Sequence, residues 1–154
     1  MAVVKLERGF VSRIVERIHP KRMRLRVKEI VGETATTKTF RLVPKDGPIP
    51  PFRAGQYVNL FVNINGVLTS RPYSISSPPN RTGYIDLTVR RKPGGFVSHY
   101  LLDRVKVGDE LETTGPIGCL YHEPLTDDND LVFLAGGSGI TPFMSMIREV
   151  TDRG

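Results

Sequence analysis

The sequence predicts a mainly β protein: a closed antiparallel barrel or sandwich with one short helix, followed by the first strand and helix of a doubly wound domain. Two observations predict this architecture. From residue 25 onward, short segments of partly alternating apolar and polar residues recur between turn residues. Near residue 131 the pattern changes to a wholly apolar run, a glycine-rich turn and apolar residues at helical spacing. That order is typical of the opening of a doubly wound domain.

The strands of the barrel are predicted from alternation and from the turns between them. They cover residues 25–31, 37–42, 57–64, 84–90 and 110–114. Asn65-Gly66 directly follows the third of these strands and is a hairpin turn signal. Prolines concentrated between residues 44 and 51 predict a loop. Residues 97–105 are predicted to form the short helix.

The last part of the chain predicts the beginning of a second domain. Residues 131–135 are all apolar, as in a buried parallel strand. Residues 142–150 carry apolar residues at helical spacing, and Pro142 suits a first helical turn because its missing N–H costs nothing there. With a boundary near residue 125, we divide the chain into a basic helical arm (1–24), a barrel (25–125) and the start of the second domain (126–154).

Composition narrows the class of protein. Of the 154 residues, 39% are hydrophobic and 25% are charged, which is typical of a folded globular domain. No apolar run approaches the ~20 residues of a membrane span, and charges interrupt the first twenty residues, so a cytoplasmic location is expected. Cys119 is the only cysteine, which excludes an internal disulfide and a four-thiolate iron–sulfur cluster. The three histidines are scattered, and we predict no metal site.

The positive charge is concentrated at one end. Residues 1–28 hold nine Lys or Arg against two Asp or Glu, a net +7, and the remainder has a net −1. Apolar residues at helical spacing between residues 10 and 18 predict a short amphipathic helix. A solvated helix face is the favoured interpretation over a docking surface for nucleic acid or an acidic partner. No zinc-ligand spacing or aromatic RNA-binding motif accompanies the charge, so we expect no nucleic-acid partner.

The first motif is Arg71-Pro72-Tyr73-Ser74. The guanidinium of Arg71 offers a rigid fork of donors that fits a phosphate. Tyr73 lies on the same side of an extended chain and has a flat ring that can stack on a flavin. The hydroxyl of Ser74 both donates and accepts, which suits a ring nitrogen whose protonation changes on reduction. Alone, the motif is better explained as an edge-strand arginine, a barrel tyrosine and a turn serine.

The second motif is a glycine turn, Pro93-Gly94-Gly95, that leads through Phe96, Val97 and Ser98 into the predicted helix. Glycines allow backbone N–H groups to approach an anion, and a helix N-terminus favours negative charge. If the anion is a phosphate, the hydroxyl of Ser98 can donate a hydrogen bond to it. An ordinary glycine turn with a serine near a helix start is the alternative interpretation.

The third motif runs from Gly136 to Pro142 and includes Gly137, Ser138, Gly139 and Thr141. It lies between the predicted buried strand and the last helix, which is where a phosphate-binding turn is expected. Pro142 replaces the third glycine of the usual dinucleotide fingerprint. A purely structural strand-to-helix turn is the alternative interpretation.

In this order and spacing the three motifs resemble the ferredoxin–NADP reductase superfamily, over roughly residues 25–154. The resemblance implies a Greek-key flavin-binding barrel with FAD as its cofactor, FMN being left open. By resemblance, Arg71 would contact the phosphate, Tyr73 would stack on the isoalloxazine ring and Ser74 would hydrogen-bond near flavin N5. Tyr73 and Ser74 would then be the catalytic residues.

The resemblance also assigns the other predicted cofactor-binding residues. The backbone of Thr88, Val89 and Arg90 would border the ribityl chain. The pyrophosphate turn would comprise Gly94, Gly95, Phe96, Val97 and Ser98, and the nicotinamide-nucleotide turn would comprise Gly137, Ser138, Gly139 and Thr141. Two further stretches resemble barrel segments of the family: Ala54-Gly55-Gln56-Tyr57 and Gly115-Pro116-Ile117-Gly118.

The implied activity is that of an NAD(P)H-dependent flavin oxidoreductase that passes electrons to an iron–sulfur or haem partner. One alternative is a non-catalytic flavin-binding or electron-transfer module of a larger complex. Another is a barrel without flavin that binds only protein or nucleic acid. An acidic residue that reads the ribose is expected ~20 residues after the glycine turn, which lies beyond Gly154. We therefore expect a fragment, or a chain that another subunit completes.

Overall fold

A computed structural model of the chain describes residues 22–128 and 130–153. Six strands, two α-helices and one 3-10 turn follow in order. They are β1 (Arg22–Thr34), β2 (Thr37–Pro44), β3 (Tyr57–Ile64), β4 (Val67–Ser74), β5 (Ile85–Arg90), α1 (Phe96–Arg104), β6 (Glu110–Thr114), the 3-10 turn (Gly137–Gly139) and α2 (Ile140–Arg153). The helix expected between residues 10 and 18 lies outside the described residues. The last three residues of the predicted arm already belong to β1.

The six strands form one antiparallel sheet in the order β4-β3-β6-β1-β2-β5. Because β5 lies beside β2 and β6 lies between β1 and β3, connections pass over neighbouring strands, as in a Greek key. The sheet curls into a half-barrel, and its two edges approach each other at a bridge between Ile75 and Leu87. The prediction of a mainly β, antiparallel fold is therefore confirmed.

Alternation along the strands places the core inside the curled sheet. In β3 the buried residues are Val58, Leu60, Val62 and Ile64, every second residue of the strand. Helix α1 contributes buried Val97, Leu101 and Leu102 to the same cluster. Full burial of an aliphatic side chain stabilises the fold by roughly 1.5–3 kcal/mol, so this one apolar face accounts for the position of the helix over the sheet.

Turn residues set the hairpin that carries the first motif. Asn65 and Gly66 have positive φ angles of 52° and 83°, which a two-residue type I′ turn requires at both positions. The turn joins β3 to β4 with Ile64 paired to Val67. The first motif lies within β4, and its Pro72 is tolerated because β4 is at the edge of the sheet.

The predicted parallel strand at residues 131–135 is wrong for this structure. Those residues have no regular secondary structure, and Val132 and Leu134 are 85% and 88% exposed. A parallel strand needs a neighbour with which to pair, and no strand of the described sheet pairs with this run. The ring of Phe133 is stacked on that of Phe143, with 4.6 Å between the ring centres.

The predicted helix that follows is confirmed, and it is longer than the sequence indicates. It begins at Ile140, and Pro142 lies in its first turn as expected. Within the described part of the chain, no helix combines the length and the apolar character that crossing a bilayer requires. The division of the chain near residue 125 stays a prediction.

Candidate functional site

Edge strand β4 carries Arg71 and Tyr73 on the inner side of the half-barrel. Their cross-strand partners are Leu60 and Val58, which are buried core residues, and directly paired residues lie on one face of a sheet. The Nη1 atom of Arg71 donates to Thr69 Oγ1 at 3.1 Å and to the Ser70 carbonyl at 2.6 Å. A guanidinium has five N–H donors, so the exposed head of Arg71 keeps donors that an anion can use.

Tyr73 is half-buried and packs against the core. Burial raises the pKa of its phenol, and the positive charge of Arg71 opposes that shift. The side chain is therefore a neutral ring at neutral pH. A neutral, partly exposed ring at an open sheet edge is suited to stacking on a flat aromatic ligand.

Ser74 ends β4 opposite Tyr57, and the chain then crosses to β5. The Ile75 N–H donates to the Gln56 carbonyl at 2.9 Å, and the Ser76 N–H donates to the Asp86 carbonyl at 2.8 Å. The position of Ser74 is thus fixed by backbone bonds on its C-terminal side.

Thr88, Val89 and Arg90 of β5 were predicted to border the cofactor, and they differ in which of their groups a ligand can reach. Val89 is buried, and the hydroxyl of Thr88 is bonded to Thr39 Oγ1 at 2.8 Å and to Ser76 Oγ at 3.0 Å. Arg90 is exposed. Only the backbone of Thr88 and Val89 and the side chain of Arg90 are therefore suited to a ligand.

The glycine turn before α1 has the geometry of an anion site. Gly94 has a φ of 66°, and a Cβ added at Gly95 would lie 2.6 Å from Ser98 Oγ and 2.9 Å from the Lys92 carbonyl. Gly95 is the N-cap of α1, and no side chain caps the helix. The first N–H groups of a helix have no intrahelical partner, so here they are open to an anion.

Ser98 differs from the expectation that its hydroxyl serves a phosphate. Its Oγ accepts from the Lys92 N–H at 3.2 Å and donates to the Gly95 carbonyl at 3.3 Å. In this structure the hydroxyl holds the turn. Phe96 is half exposed beside it, and Val97 is buried in the core.

The third motif lies against β5. A Cβ added at Gly137, whose φ is 58°, would be 3.2 Å from Arg90 Nη1. Thr141 is buried and its hydroxyl donates to the Ser138 carbonyl at 2.8 Å, while the Gly139 N–H donates to the Gly136 carbonyl at 3.0 Å. Arg90 thus links the strand predicted for the flavin with the turn predicted for the nicotinamide nucleotide.

A second concave region was not predicted from the sequence. A cavity of about 710 Å³ lies between α2 and three loops, and its lining includes Phe52, Arg53, Tyr121, Phe133 and Met146. Its walls come from four separate stretches of the chain, so no local pattern could reveal it. The guanidinium of Arg53 lies 4.4 Å from the centre of the Tyr121 ring, which closes one side of the cavity.

A flavin nucleotide fits the region formed by Arg71 and Tyr73 of β4 and the glycine turn before α1. Arg71 offers further N–H donors beside the partly exposed ring of Tyr73. Position 95 has no room for a side chain, and no side chain caps the start of α1, so the first N–H groups of the helix are open to a phosphate. The described residues contain no group of three or more His, Cys, Asp or Glu placed to hold a metal ion.

Comparisons with known proteins agree with this fit. The family described as the oxidoreductase FAD-binding domain matches residues 22–122. The chain is 38% identical over 128 residues to the glycine betaine monooxygenase reductase subunit of Pseudomonas aeruginosa strain UCBPP-PA14, covering 83% of this chain and 35% of that protein. It is 41% identical over 128 residues to a flavohemoprotein of Pseudomonas aeruginosa strain PAO1, covering 82% of this chain and 32% of that protein.

The fold has solved counterparts as well. The crystal structure of a ferredoxin NADP+ reductase from Neisseria gonorrhoeae with bound FAD and NADP superposes with a TM-score of 0.72 at 25% identity, over 86% of this chain and 53% of that one. This chain spans about a third of the length of the two relatives above. The resemblance drawn from the three motifs is confirmed, and the chain belongs to the oxidoreductase FAD-binding domain family.

Proposed function

We propose that this chain is the FAD-binding part of an NAD(P)H-dependent oxidoreductase that passes electrons to an iron–sulfur or haem partner. The observation that carries the proposal is the open edge of the half-barrel. Arg71 and Tyr73 face inward on one side of it, and β5 and the two glycine turns lie on the other side. FAD supplies the chemistry, since it accepts two electrons with a hydride and releases them singly.

The residues of the chain bind and orient the cofactor in this proposal. Arg71 anchors a phosphate, Tyr73 covers the isoalloxazine ring and Ser74 lies near flavin N5. The backbone of Thr88 and Val89 borders the ribityl chain. The pyrophosphate rests on the N–H groups that begin α1, with Ser98 shaping the turn from behind.

The turn from Gly137 to Thr141 is proposed to receive the pyridine nucleotide. At Gly137 the backbone closely approaches the Arg90 guanidinium, which supplies positive charge for a phosphate. Because Gly137 lies beside Arg90 at the end of β5, the arrangement would place the nicotinamide next to the flavin that β5 borders. NADH and NADPH both remain candidates.

The names of the relatives support the proposed partners. One is a reductase subunit of a monooxygenase and another is a flavohemoprotein.

A second candidate function is a flavin-binding electron-transfer module within a larger complex. The exposed apolar side chains of Val132 and Leu134 favour it, because a partner or further chain that covers them would gain hydrophobic stabilisation. The cytoplasmic location stays a prediction that cell fractionation would measure.

Titration of the purified chain with FAD tests the proposal. We expect flavin fluorescence to be quenched with a stoichiometry of one as FAD binds. Anaerobic addition of NADH or NADPH to the full protein then separates the two candidates. Bleaching of the flavin bands supports the reductase, and a bound flavin that stays oxidised supports the module. A chain that binds no flavin would contradict both.

A further inference from the structure

Helix α2 has a polar face that the proposed function does not yet use. Ser145, Arg148 and Asp152 are spaced at i, i+3 and i+7, so they lie on one side of the helix. Ser145 Oγ donates to the Ser77 carbonyl at 2.7 Å, and Arg148 Nη1 donates to the Ser76 carbonyl at 2.9 Å. All three residues face the segment that follows the first motif.

The three contacts of α2 differ in how strongly they stabilise the position of the helix. Ser145 and Ser77 are both completely buried, so loss of their bond would leave a carbonyl without water or a partner. The bond from Arg148 is charge-assisted and therefore stronger than a neutral one. Arg81 and Asp152 form a bidentate pair at 2.6 Å farther out, where solvent weakens ion pairs. Ser145 and Arg148 are thus the principal contacts.

Ser76 and Ser77, whose carbonyls accept the bonds from α2, are also bonded to β5 through their hydroxyls. The hydroxyl of Ser77 accepts from the Asp86 N–H at 3.0 Å, and that of Ser76 accepts from Thr88 Oγ1 at 3.0 Å. Ser76 is two residues beyond Ser74. One short segment therefore connects the end of the flavin motif, the strand predicted to border the cofactor and helix α2.

Helix α2 begins directly after the 3-10 turn of the third motif. A displacement of the helix relative to Ser76 and Ser77 would move the turn relative to Ser74. Hydride transfer needs its two rings in contact, and a misplacement of about 1 Å can slow a reaction on the order of 100-fold. The alignment of the two proposed sites therefore depends on the contacts of Ser145 and Arg148.

We propose that Ser145 and Arg148 are positioning residues that hold the nicotinamide turn in register with the flavin motif. The inference rests on the proposed function. In the step concerned, a hydride leaves the reduced nicotinamide for flavin N5, so the nucleotide is oxidised and the flavin is reduced. Neither side chain touches the reacting atoms, and both act through the segment at Ser76 and Ser77.

The test compares Arg148→Ala, Arg148→Lys and Ser145→Ala in the full protein. Thr151→Ala is the matched control, because among the described residues the Thr151 hydroxyl bonds only to carbonyls of its own helix, those of Ile147 and Arg148. Three quantities are measured: the Kd for FAD, the rate of flavin reduction in an anaerobic stopped-flow experiment, and deuterium uptake at residues 74–80 and 140–153.

For Arg148→Ala we expect flavin reduction to slow by about tenfold or more with the Kd for FAD within about twofold of wild type. Arg148→Lys should recover part of the rate, because an ammonium can also donate to the Ser76 carbonyl. Ser145→Ala should slow reduction and raise deuterium uptake in both segments. The control should match wild type. Ser145→Ala also decides the matter if Arg148→Ala does not fold.

Unchanged reduction rates in Ser145→Ala and Arg148→Ala would overturn the inference. So would a loss of FAD affinity as large as the loss of rate, because that would show damage to the flavin site itself. A wild-type protein that binds no FAD, or that NAD(P)H does not reduce, would overturn the proposed reductase function and this inference with it. The two failures are thus told apart by the wild type alone.

Discussion

Two adjacent threonines of β6 should respond to the same substitution with opposite signs. Thr113 is completely buried between strand neighbours Met23 and Leu60, and its hydroxyl has no hydrogen-bond partner among the described residues. Thr114 is also buried, but its Oγ1 accepts a hydrogen bond from the Asn59 N–H at 2.9 Å. Valine has nearly the same shape as threonine and keeps the β-branch that favours a strand.

The expected magnitudes follow from hydrogen bonding. An unsatisfied buried polar group costs roughly 1–3 kcal/mol. Thr113→Val removes such a group, so we expect the free energy of unfolding to rise by about 1 kcal/mol or more. Thr114→Val leaves the Asn59 N–H without its acceptor, so we expect a fall of about 1–3 kcal/mol.

Urea unfolding of the chain, followed by circular dichroism, measures both changes at constant m-value. In thermal unfolding, 1 kcal/mol corresponds to about 2–4 °C for a chain of this size. Destabilisation by Thr113→Val, or equal effects of the two substitutions, would refute the assignment of the unpaired hydroxyl.

Two further predictions concern the frame of the site. Gly55→Ala should destabilise the chain by about 2 kcal/mol or more in the same assay, because a positive φ strains alanine. In addition, the new Cβ would lie within 2.1 Å of the Leu120 carbonyl oxygen at a φ of 101°. Gly32→Ala, where nothing lies within 4 Å, is its control. Burial raises the pKa of Tyr73 above the ordinary 10.0, so the unfolded chain loses this proton first and stability should fall as the pH rises through about 10. Tyr73→Phe should make that fall shallower in unfolding experiments at pH 9–11 without flavin, and an unaltered slope would contradict the burial of the phenol.

The strength of local patterns decided which elements the sequence could reveal. Strand β3 alternates clearly and ends in Asn65-Gly66, and its bounds were predicted as found. Strand β4 is exposed and half-buried in pairs of residues and contains Pro72, so it lacks the alternation that identifies a strand. The apolar run at residues 131–135 was misread because only long-range pairing could make it a strand.

The candidate site could likewise be predicted from the sequence only where local patterns define it. The three motifs are local, and their residues could be named from spacing and chemistry. The use of the Ser98 hydroxyl within its own turn, and of Thr88 between Thr39 and Ser76, depends on contacts across the fold. The same holds for the polar face of α2, whose partners lie some seventy residues earlier in the chain.

The affinity of the chain for FAD before and after loss of the Arg71 guanidinium tests the central claim most directly. Fluorescence titration should show that wild type binds FAD and that Arg71→Ala binds it about 10- to 150-fold more weakly, which corresponds to a charge-assisted bond of roughly 1.5–3 kcal/mol. Arg26→Ala, which removes an exposed arginine from β1, should leave the Kd unchanged. Equal affinities of wild type and Arg71→Ala would contradict the placement of the flavin at the edge of β4.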